Sequence, residues 1–509
     1  MENFNSNNSK CTIITIVIPI VIIICTVAVG IIGILSPETF KNSSSDSSDT
    51  IASVGGSSEN ESIAESSNIM SIETLSSGFQ SSSDISSVDS SLVSSSIGQT
   101  SSGQTSSNKQ TSSDVTSSRE NSSLTSGTTS QTMSSGTVTP PIVNKNFSSA
   151  MWYSFDSDMN FKKLTEQQFK DKINTMFDNA VDLGNDAVIC QVRPFADAYY
   201  QSSLFPWSSY ITGTQGKNPG YDPMAYMIEA AHKRGLQFHA WLNPYRISTS
   251  TTNPNNLSSD HIARKWWNDE NTKRRVLVSG NGLYFNPTIP ECQKLIIDGV
   301  KEIVNNYNVD GIHIDDYFYP TTDLSFDSVE YNKYKSNGGS LSQADWRRAN
   351  VSTLVQGMYQ ATHSKSGVVF GVSPSYDFDV NYNEQYADLK RWMSTAGYID
   401  YIVPQIYFGY NHSNSKAKYS NCLNTWVSTP KLSSVKLYIG LGAYKIGYAT
   451  DGGSNEWATD KELLAKQAID AKSKGANGVF IFNYSTLFAN TDLATAQRKN
   501  FKKALKSFE

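Results

Sequence analysis

Short apolar segments alternate with longer amphipathic segments from about residue 146 to the C-terminal end. Eight of the apolar segments are rich in the β-branched and aromatic residues that strands favour, at 150–155, 186–193, 236–243, 309–315, 368–373, 399–407, 435–443 and 478–484. Helical patterns lie between or after them, including 165–183, 222–234, 290–307, 343–365, 459–474 and 493–506. Strand and helix repeated in this way predict an α/β fold, a single (β/α)8 TIM barrel.

The lengths of the connecting segments support a barrel independently. Each helix reaches the next strand quickly, as at Gly184-Asn185, whereas long segments follow the strands, above all at 194–221, 244–287, 316–341 and 444–458. Long loops on the C-terminal face of a barrel are where its active site is built. An open doubly wound sheet would show the same alternation, but Trp152-Tyr153-Ser154-Phe155 stands where a glycine-rich nucleotide loop would follow the first strand.

The N-terminal part of the chain predicts attachment to a membrane. Residues 11–35 are apolar and uncharged, and about 20 such residues span a bilayer. A cleaved signal peptide would have an apolar region of about 7–15 residues and a small-residue cleavage site, and no clear site of that kind follows here. We therefore predict a short cytoplasmic tail at 1–10, a transmembrane anchor at 11–35, and the rest of the chain outside the cell.

Residues 36–145 consist mainly of Ser, Thr, Gly, Asn and Asp, with almost no aromatic residues. Such a composition cannot bury enough apolar surface to order a backbone. We predict a disordered Ser/Thr-rich linker that ends near Pro140-Pro141 and carries the catalytic domain, residues 146–509, away from the membrane.

Charge and cysteine content exclude several classes of protein. The net charge is −5 and no basic stripe is visible, which argues against nucleic acid as a partner. The cysteines, at 11, 25, 190, 292 and 422, show neither a disulfide framework nor zinc-ligand spacing. We predict neither a metal nor a cofactor.

The alternation of side chains in the fourth strand points a carboxylate into the barrel. Ile312 and Ile314 should face the helices, so His313 and Asp315 face the barrel axis. Asp315 stands at the strand's C-terminal end, at the mouth, and Asp316 begins the loop. The structural alternatives are a loop-capping role for Asp316 and a hydrogen-bonded supporting role for His313.

Three other strands should direct polar side chains to the same mouth. The alternation turns Arg193 of the second strand, Asn243 of the third, and Gln405 with Tyr407 of the sixth inward. Burying such groups is costly unless they are paired, so core packing alone does not account for them. Arg193 could instead pair with Asp315 as a structural contact.

Aromatic residues and further carboxylates follow the strands in the long loops. Tyr245 follows the third strand, Tyr317 the fourth, and Trp457 the seventh, while Asp197 and Asp377 lie after the second and fifth. Aromatic faces beside carboxylates suit the apolar faces and hydroxyl edges of sugar rings. These five residues join the candidate substrate-binding set, although half of such loop aromatics would be ordinary packing and Asp197 could be a turn residue.

Five motifs in these strands and loops resemble the glycosyl-hydrolase-like family 10 proteins: QVRP at 191–194, PGYDP at 219–223, HAWLNPYR at 239–246, DGIHIDDYFYP at 310–320 and VPQIY at 403–407. The resemblance covers roughly 148–485. It implies an exported bacterial TIM barrel related to glycoside hydrolases, brings no settled substrate, and adds Arg246 to the substrate-binding candidates. The chain departs from the family after Ser373-Pro374, where Ser375-Tyr376-Asp377 replaces the usual small residue and Trp.

These observations predict an extracellular glycoside hydrolase that cleaves a cell-wall or extracellular polysaccharide. Its chemistry needs two carboxyl groups across the scissile bond; Asp315 is one, and Asp316 is the other if the strand ends or bulges there. Otherwise Asp197 or Asp377 would serve. A non-catalytic carbohydrate-binding barrel and a metal-dependent polysaccharide deacetylase, with His239, His313 and Asp315 as conceivable ligands, are the alternatives; no ligand-spacing motif supports the metal.

Overall fold

The computed structural model describes residues 146–508, which all belong to one compact unit. Within this range no helix is both long and apolar enough to cross a bilayer. The tail at 1–10, the anchor at 11–35 and the linker at 36–145 lie outside the described residues, so these assignments stay predictions.

Within residues 146–508, eight parallel strands close into a barrel in the spatial order β1, β11, β10, β9, β8, β7, β3, β2. They are β1 (Ser149–Tyr153), β2 (Ala187–Arg193), β3 (Gln237–Leu242), β7 (Gly311–Ile314), β8 (Val369–Val372), β9 (Tyr401–Ile402), β10 (Lys436–Leu441) and β11 (Gly478–Ile481). The predicted α/β barrel is confirmed. Three further strands, β4 (Arg246–Ser248), β5 (Val276–Ser279) and β6 (Gly282–Phe285), form a small antiparallel sheet in the long loop after β3.

Helices surround the barrel, and the predicted helices at 165–183, 222–234, 290–307, 343–365 and 493–506 are present within three residues of their predicted bounds. The α-helices are α1 (Glu166–Leu183), α2 (Ser209–Thr212), α3 (Pro223–His232), α4 (Ile262–Trp267), α5 (Pro290–Asn306), α6 (Ser328–Ser336), α7 (Gln343–Thr362), α8 (Phe378–Asn383), α9 (Leu389–Ser394), α10 (Tyr419–Ser428), α11 (Glu456–Thr459), α12 (Leu463–Ser473), α13 (Tyr484–Leu487) and α14 (Asp492–Leu505). Helix α1 starts with a capping box between Thr165 and Gln168 and ends at Gly184, whose φ of 99° suits glycine.

Apolar side chains pack on both sides of the strands. Ile312 and Ile314 lie in the large cluster between strands and helices, whereas Trp152, Trp241 and Tyr401 lie in a smaller cluster inside the barrel. Phe147 closes the interior at the N-terminal end of the barrel, where its ring stacks on Tyr438 and meets His239 edge-on. Centroid distances are 4.7 Å and 5.1 Å. The interior is therefore a packed core that leaves only the mouth open to a ligand.

The predicted sixth strand over 399–407 was too long. Strand β9 contains only Tyr401 and Ile402 because Pro404 has no N–H to donate to a ladder. Gln405 regains single bridges to Ser375 and Gly440, one on each side. The segment therefore still forms part of the barrel wall, but its end at the mouth is a loop.

Candidate active site

Asp315 lies at the C-terminal end of β7 and is 2% exposed. The side-chain amide of Asn243, which follows β3, donates to Asp315 Oδ1. Asn243 Oδ1 in turn accepts from Gln191 Nε2 at 2.6 Å and from Arg246 Nη2 at 3.0 Å. Three neighbouring strands thus fix one carboxyl group at the mouth of the barrel.

Asp316 lies beside Asp315, and its side chain does not turn toward the helices. Strand β7 ends at Ile314, so the alternation of side chains stops before Asp316. Asp316 is partly exposed, and a hydrogen bond from the Gln405 side chain favours its charged form. Both carboxyl groups of the pair are therefore available at the mouth.

Burial and mutual repulsion make this pair hold a proton near neutral pH. Burial, which is the largest cause, and the neighbouring charge of Asp316 together raise the pKa of Asp315 to about 7, against the opposing effects of Arg246 and Asn243. Burial likewise raises the pKa of Asp316. Two adjacent carboxyl groups that cannot both ionise easily provide one acid and one base at the same place.

Arg193 does not face the barrel axis, so the inward orientation on which its prediction as a substrate-binding residue rested was wrong. The pairing of β2 with β3 shifts by one residue between Gln191 and Arg193, and Arg193 pairs with the outward-facing Leu242. Its guanidinium lies over the ring of Phe205 at 4.5 Å and against Gly299 of α5. The bulge reverses the alternation on which the prediction rested.

Arg246 supplies the positive charge near the pair. Its Nε donates to the carbonyl of Pro194 at 2.9 Å, which fixes the side chain across the mouth. Its guanidinium carbon lies 4.9 Å from the ring centroid of Phe195 and 4.5 Å from that of Tyr317. The charge of Arg246 lowers the pKa of Asp315 and stabilises an ionised form of the pair.

His313 is a buried support beneath the site. Trp152 Nε1 donates to His313 Nε2 at 3.1 Å, so the proton of the neutral ring is on Nδ1, which faces the Tyr401 hydroxyl at 3.0 Å. Tyr401 then donates to His239 Nδ1 at 2.9 Å, and His239 Nε2 donates to Gln237 Oε1 at 3.1 Å. Both imidazoles use both nitrogens within the protein, and burial lowers the pKa of both.

Gln405 and Tyr407 lie at the mouth, as the alternation predicted. Gln405 Nε2 donates to the carbonyl of Ser373 at 2.9 Å, which orients its amide toward the neighbouring strand end. The ring of Tyr407 stacks on that of Phe482 at 5.9 Å and meets Tyr444 edge-on at 5.6 Å. These rings line the mouth on the β9, β10 and β11 side.

Four other residues that were predicted to bind substrate make their contacts within the protein. Tyr245 and Trp457 are fully buried in the outer core. Tyr245 begins the segment that leads into the small sheet, and Trp457 Nε1 donates to Asp451 at 3.2 Å. Neither ring is exposed at the mouth, where the sequence had suggested that it would contact substrate. Asp197 is buried and accepts from Gln215 Nε2 at 2.9 Å, and burial raises its pKa to about 6. Asp377 caps helix α8.

An aromatic wall beside Arg246 was not among the features predicted from the sequence. The rings of Phe155, Phe195 and Tyr210 contact one another at centroid distances of 4.8–6.3 Å, and each is partly exposed. The backbone N–H of Phe155 donates to Gln191 Oε1 at 3.2 Å, which connects this wall to the network around Asp315. The signal was the position of Phe155 directly after the first strand, where mouth residues are expected.

The described residues contain no group of three or more His, Cys, Asp or Glu side chains placed to hold a metal ion. The imidazoles that the sequence offered as ligands, His239 and His313, are occupied by hydrogen bonds inside the barrel. Asp315 and Asp316 are thus left as the titratable pair of the mouth, with Arg246 and Asn243 as their partners.

Comparison with known proteins gives consistent similarities. A family model described as glycosyl hydrolase-like 10 matches residues 146–459. Glycosyl hydrolase YngK of Bacillus subtilis (strain 168) is 39% identical over 355 residues, covering 65% of this chain and 66% of that protein, just under two thirds of its length. Glycosyl hydrolase DigH of Escherichia coli (strain K12) is 37% identical over 313 residues, 56% of this chain and 67% of that protein. The glycoside hydrolase domain of PgaB from Bordetella bronchiseptica superposes with a TM-score of 0.45 at 12% identity, covering 70% of this chain and 98% of that one.

Proposed function

Because the chain belongs to the glycosyl hydrolase-like 10 family, we propose that it is a glycoside hydrolase that cleaves a cell-wall or extracellular polysaccharide at the mouth of its barrel. The observation that carries the proposal is the pair Asp315 and Asp316, which burial and mutual repulsion keep partly protonated. Glycosidic bonds are cleaved by such carboxyl groups. The relatives described above are named glycosyl hydrolases, which supports the same chemistry.

In the proposed reaction the protonated member of the pair donates to the leaving oxygen of the glycosidic bond. The ionised partner accepts a proton from water or stabilises the positive charge that develops on the sugar ring. Asn243 orients Asp315, and together with Arg246 it opposes the rise of the Asp315 pKa, so this carboxyl group can change its protonation state near neutral pH. The cycle leaves the pair with the same single proton that it held at the start.

The walls of the mouth support a sugar substrate. Partly exposed rings flank the pair on two sides, with Phe155, Phe195 and Tyr317 on one and Tyr444 and Phe482 on the other. Aromatic faces pack against the C–H faces of pyranose rings, while amide and guanidinium groups bind hydroxyls. Attachment to a membrane at 11–35 and a position outside the cell form part of the proposal and rest on the sequence alone.

The variant Asp315→Asn tests the proposal. It keeps the shape of the side chain but cannot exchange protons, so turnover should fall by roughly 10²–10⁴-fold. The assay incubates the protein with a panel of cell-wall and biofilm polysaccharides and measures new reducing ends. Asp316→Asn should also slow the reaction, while Asp171→Asn on the exposed face of α1 is the matched control and should not.

A folded Asp315→Asn variant with the parent rate would disprove the assignment of this residue. A parent protein that binds a polysaccharide but releases no reducing ends would favour the non-catalytic carbohydrate-binding alternative. The metal-dependent deacetylase has no observation in its favour, because both candidate imidazoles are engaged in the barrel interior.

A further inference from the structure

A second concave site lies beside the mouth, between the loops that follow β3 and β7. Its cavity has a volume of about 450 Å³, within the range of small-molecule sites. One wall carries Trp267 and the edge strand β5, and the other carries Thr321, Asp323, Ser325 and Phe326. None of these residues belongs to the carboxylate site described above.

Ion pairs and hydrogen bonds hold both walls in place. Arg347, which is fully buried, forms a two-pronged ion pair with Asp327, with distances of 2.8 Å and 2.6 Å. The same guanidinium donates to the carbonyl of Asp323 at 2.6 Å, so it fixes the backbone of that wall. Arg274 crosses from the opposite wall to Glu330 at 2.7 Å and 2.9 Å. A cavity with fixed walls loses little freedom when it binds a ligand.

The chemistry of the cavity fits an uncharged sugar unit. Trp267 provides an indole face, and Ser279, Thr321 and Ser325 provide hydroxyls. The lining cations are already paired, Lys273 with Glu270 at 3.2 Å and Arg274 with Glu330. A ligand that needed a free cation would therefore find none in this lining.

Exposed apolar side chains concentrate around the same cavity. Val278 is 42% exposed and Leu324 57% exposed, and both belong to the segments that form its walls. Tyr317, which follows Asp316 in the same loop, is 45% exposed. Apolar groups that remain uncovered beside a concave site mark it as a binding surface.

The loop that follows β7 connects the mouth to the cavity along the chain. Tyr317 follows Asp316 directly, and its ring faces Arg246, the partner of Asn243. Three residues further on, the carbonyl of Pro320 accepts from Ser279 Oγ at 3.5 Å, at the rim of the cavity. The same loop therefore carries Asp316 at the mouth and Thr321, four residues after Tyr317, at the cavity.

We propose that this cavity is a distal subsite that binds an uncharged sugar unit of the same polysaccharide chain, so that the protein cleaves within chains rather than at their ends. This inference rests on the proposed function. The cavity holds a sugar beyond the bond that is cleaved, and its contribution should appear only with substrates long enough to reach it.

Trp267→Ala tests the subsite with oligosaccharides of defined length, prepared from the polysaccharide that the parent cleaves. Loss of one aromatic contact should lower kcat/KM for long oligosaccharides by roughly 2- to 10-fold. The change should lie in KM, because a distal contact binds substrate and transition state equally. The shortest cleavable oligosaccharides should be unaffected, and Trp267→Phe should recover most of the loss.

Ser279→Trp, which fills the cavity and keeps Trp267, should reproduce the effect even if Trp267→Ala folds poorly. Tyr359→Ala on α7 is a control for loss of an aromatic residue elsewhere. An unchanged length profile in both cavity variants, with an active parent, would overturn the subsite alone. An inactive parent on every polysaccharide would overturn the proposed function. A length effect that disappears at high salt would contradict an uncharged sugar.

Discussion

A buried carboxyl group such as Asp315 stabilises the folded state only while it is protonated. Removing its charge from water is unfavourable, and the neighbouring Asp316 adds repulsion, so its pKa rises to about 7. The donors around it, Asn243 and Arg246, offset only part of this cost. This arrangement lowers the stability of the folded state and gives Asp315 a pKa near neutral pH, a combination that is common in catalytic sites.

Asp315→Asn should therefore stabilise the protein at neutral pH. Because its folded-state pKa lies above the ordinary value of 3.8, the parent loses stability as pH rises from about 4 to about 7. The variant lacks this loss, so the difference in Tm should grow over that interval, stay constant above it and vanish below pH 4. Each kcal/mol should raise Tm by on the order of 2 °C.

Thermal melts from pH 4 to pH 8 measure this difference directly. Asp171→Asn, which removes an exposed charge from α1, controls for net charge. A difference between parent and Asp315→Asn that stays the same at every pH would show that Asp315 is ionised throughout.

Some of these residues could be predicted from the sequence, and others could not. Alternation along short regular strands placed Asp315 and Asn243 at the mouth, since each strand runs without interruption to its end. The same rule misplaced Arg193, because a bulge leaves no mark in the order of the residues. Trp457 was misassigned because an aromatic residue in a loop has the same sequence signature whether it packs inward or outward.

At the scale of secondary-structure elements, the sequence patterns that predicted the structure correctly are local ones. Thr165 and Asp222, the first residues of the predicted helical segments 165–183 and 222–234, cap these helices, because capping depends on a few adjacent residues. The small sheet β4–β6–β5 was missed, since its strands have only three or four residues and lie in what the sequence showed as one long loop. Helix α5 and strand β2 are coupled across the bulge, and this contact provides a test.

Gly299→Ala in α5 should destabilise the protein although alanine favours helices. A Cβ at this position would overlap Arg193 Nη1 and lie 2.8 Å from Phe205 Cε2. Overpacking of this kind costs roughly 1–3 kcal/mol, more than the gain of about 1 kcal/mol in helix propensity. Urea unfolding should show the loss, and adding Arg193→Met should recover most of it. Additive effects of the two substitutions would show that the side chains do not meet.

At the scale of the whole molecule, the barrel interior holds its histidines uncharged. Burial lowers the pKa of His239 to about 4 and that of His313 further, and His261 in the loop after β3 has a pKa of about 4. Because these values lie below the ordinary 6.5, the unfolded chain takes up protons first as pH falls. These histidines should reduce the free energy of unfolding progressively between pH 6.5 and about 4.

NMR of protein labelled with ¹³C in its imidazole rings should resolve the two classes of histidine. The signals of His239, His261 and His313 should not shift between pH 7.5 and about 5. His363, whose pKa a hydrogen bond to Asp400 raises above 6.5, serves as the internal control and should titrate. An interior histidine that titrates together with His363 would contradict the neutral hydrogen-bond chain.

The bulge in β2 also bears on how relatives of this chain should be aligned. One additional backbone residue, Val192, sends Arg193 beneath α5 and leaves the mouth to Arg246. A homologue that lacked Val192 would present Arg193 to the axis and would differ from this chain by a single residue of the motif. The presence or absence of this one residue then determines whether Arg193 or Arg246 lies near the carboxylates. Conserved motif letters across an insertion or deletion here would not imply a conserved active site.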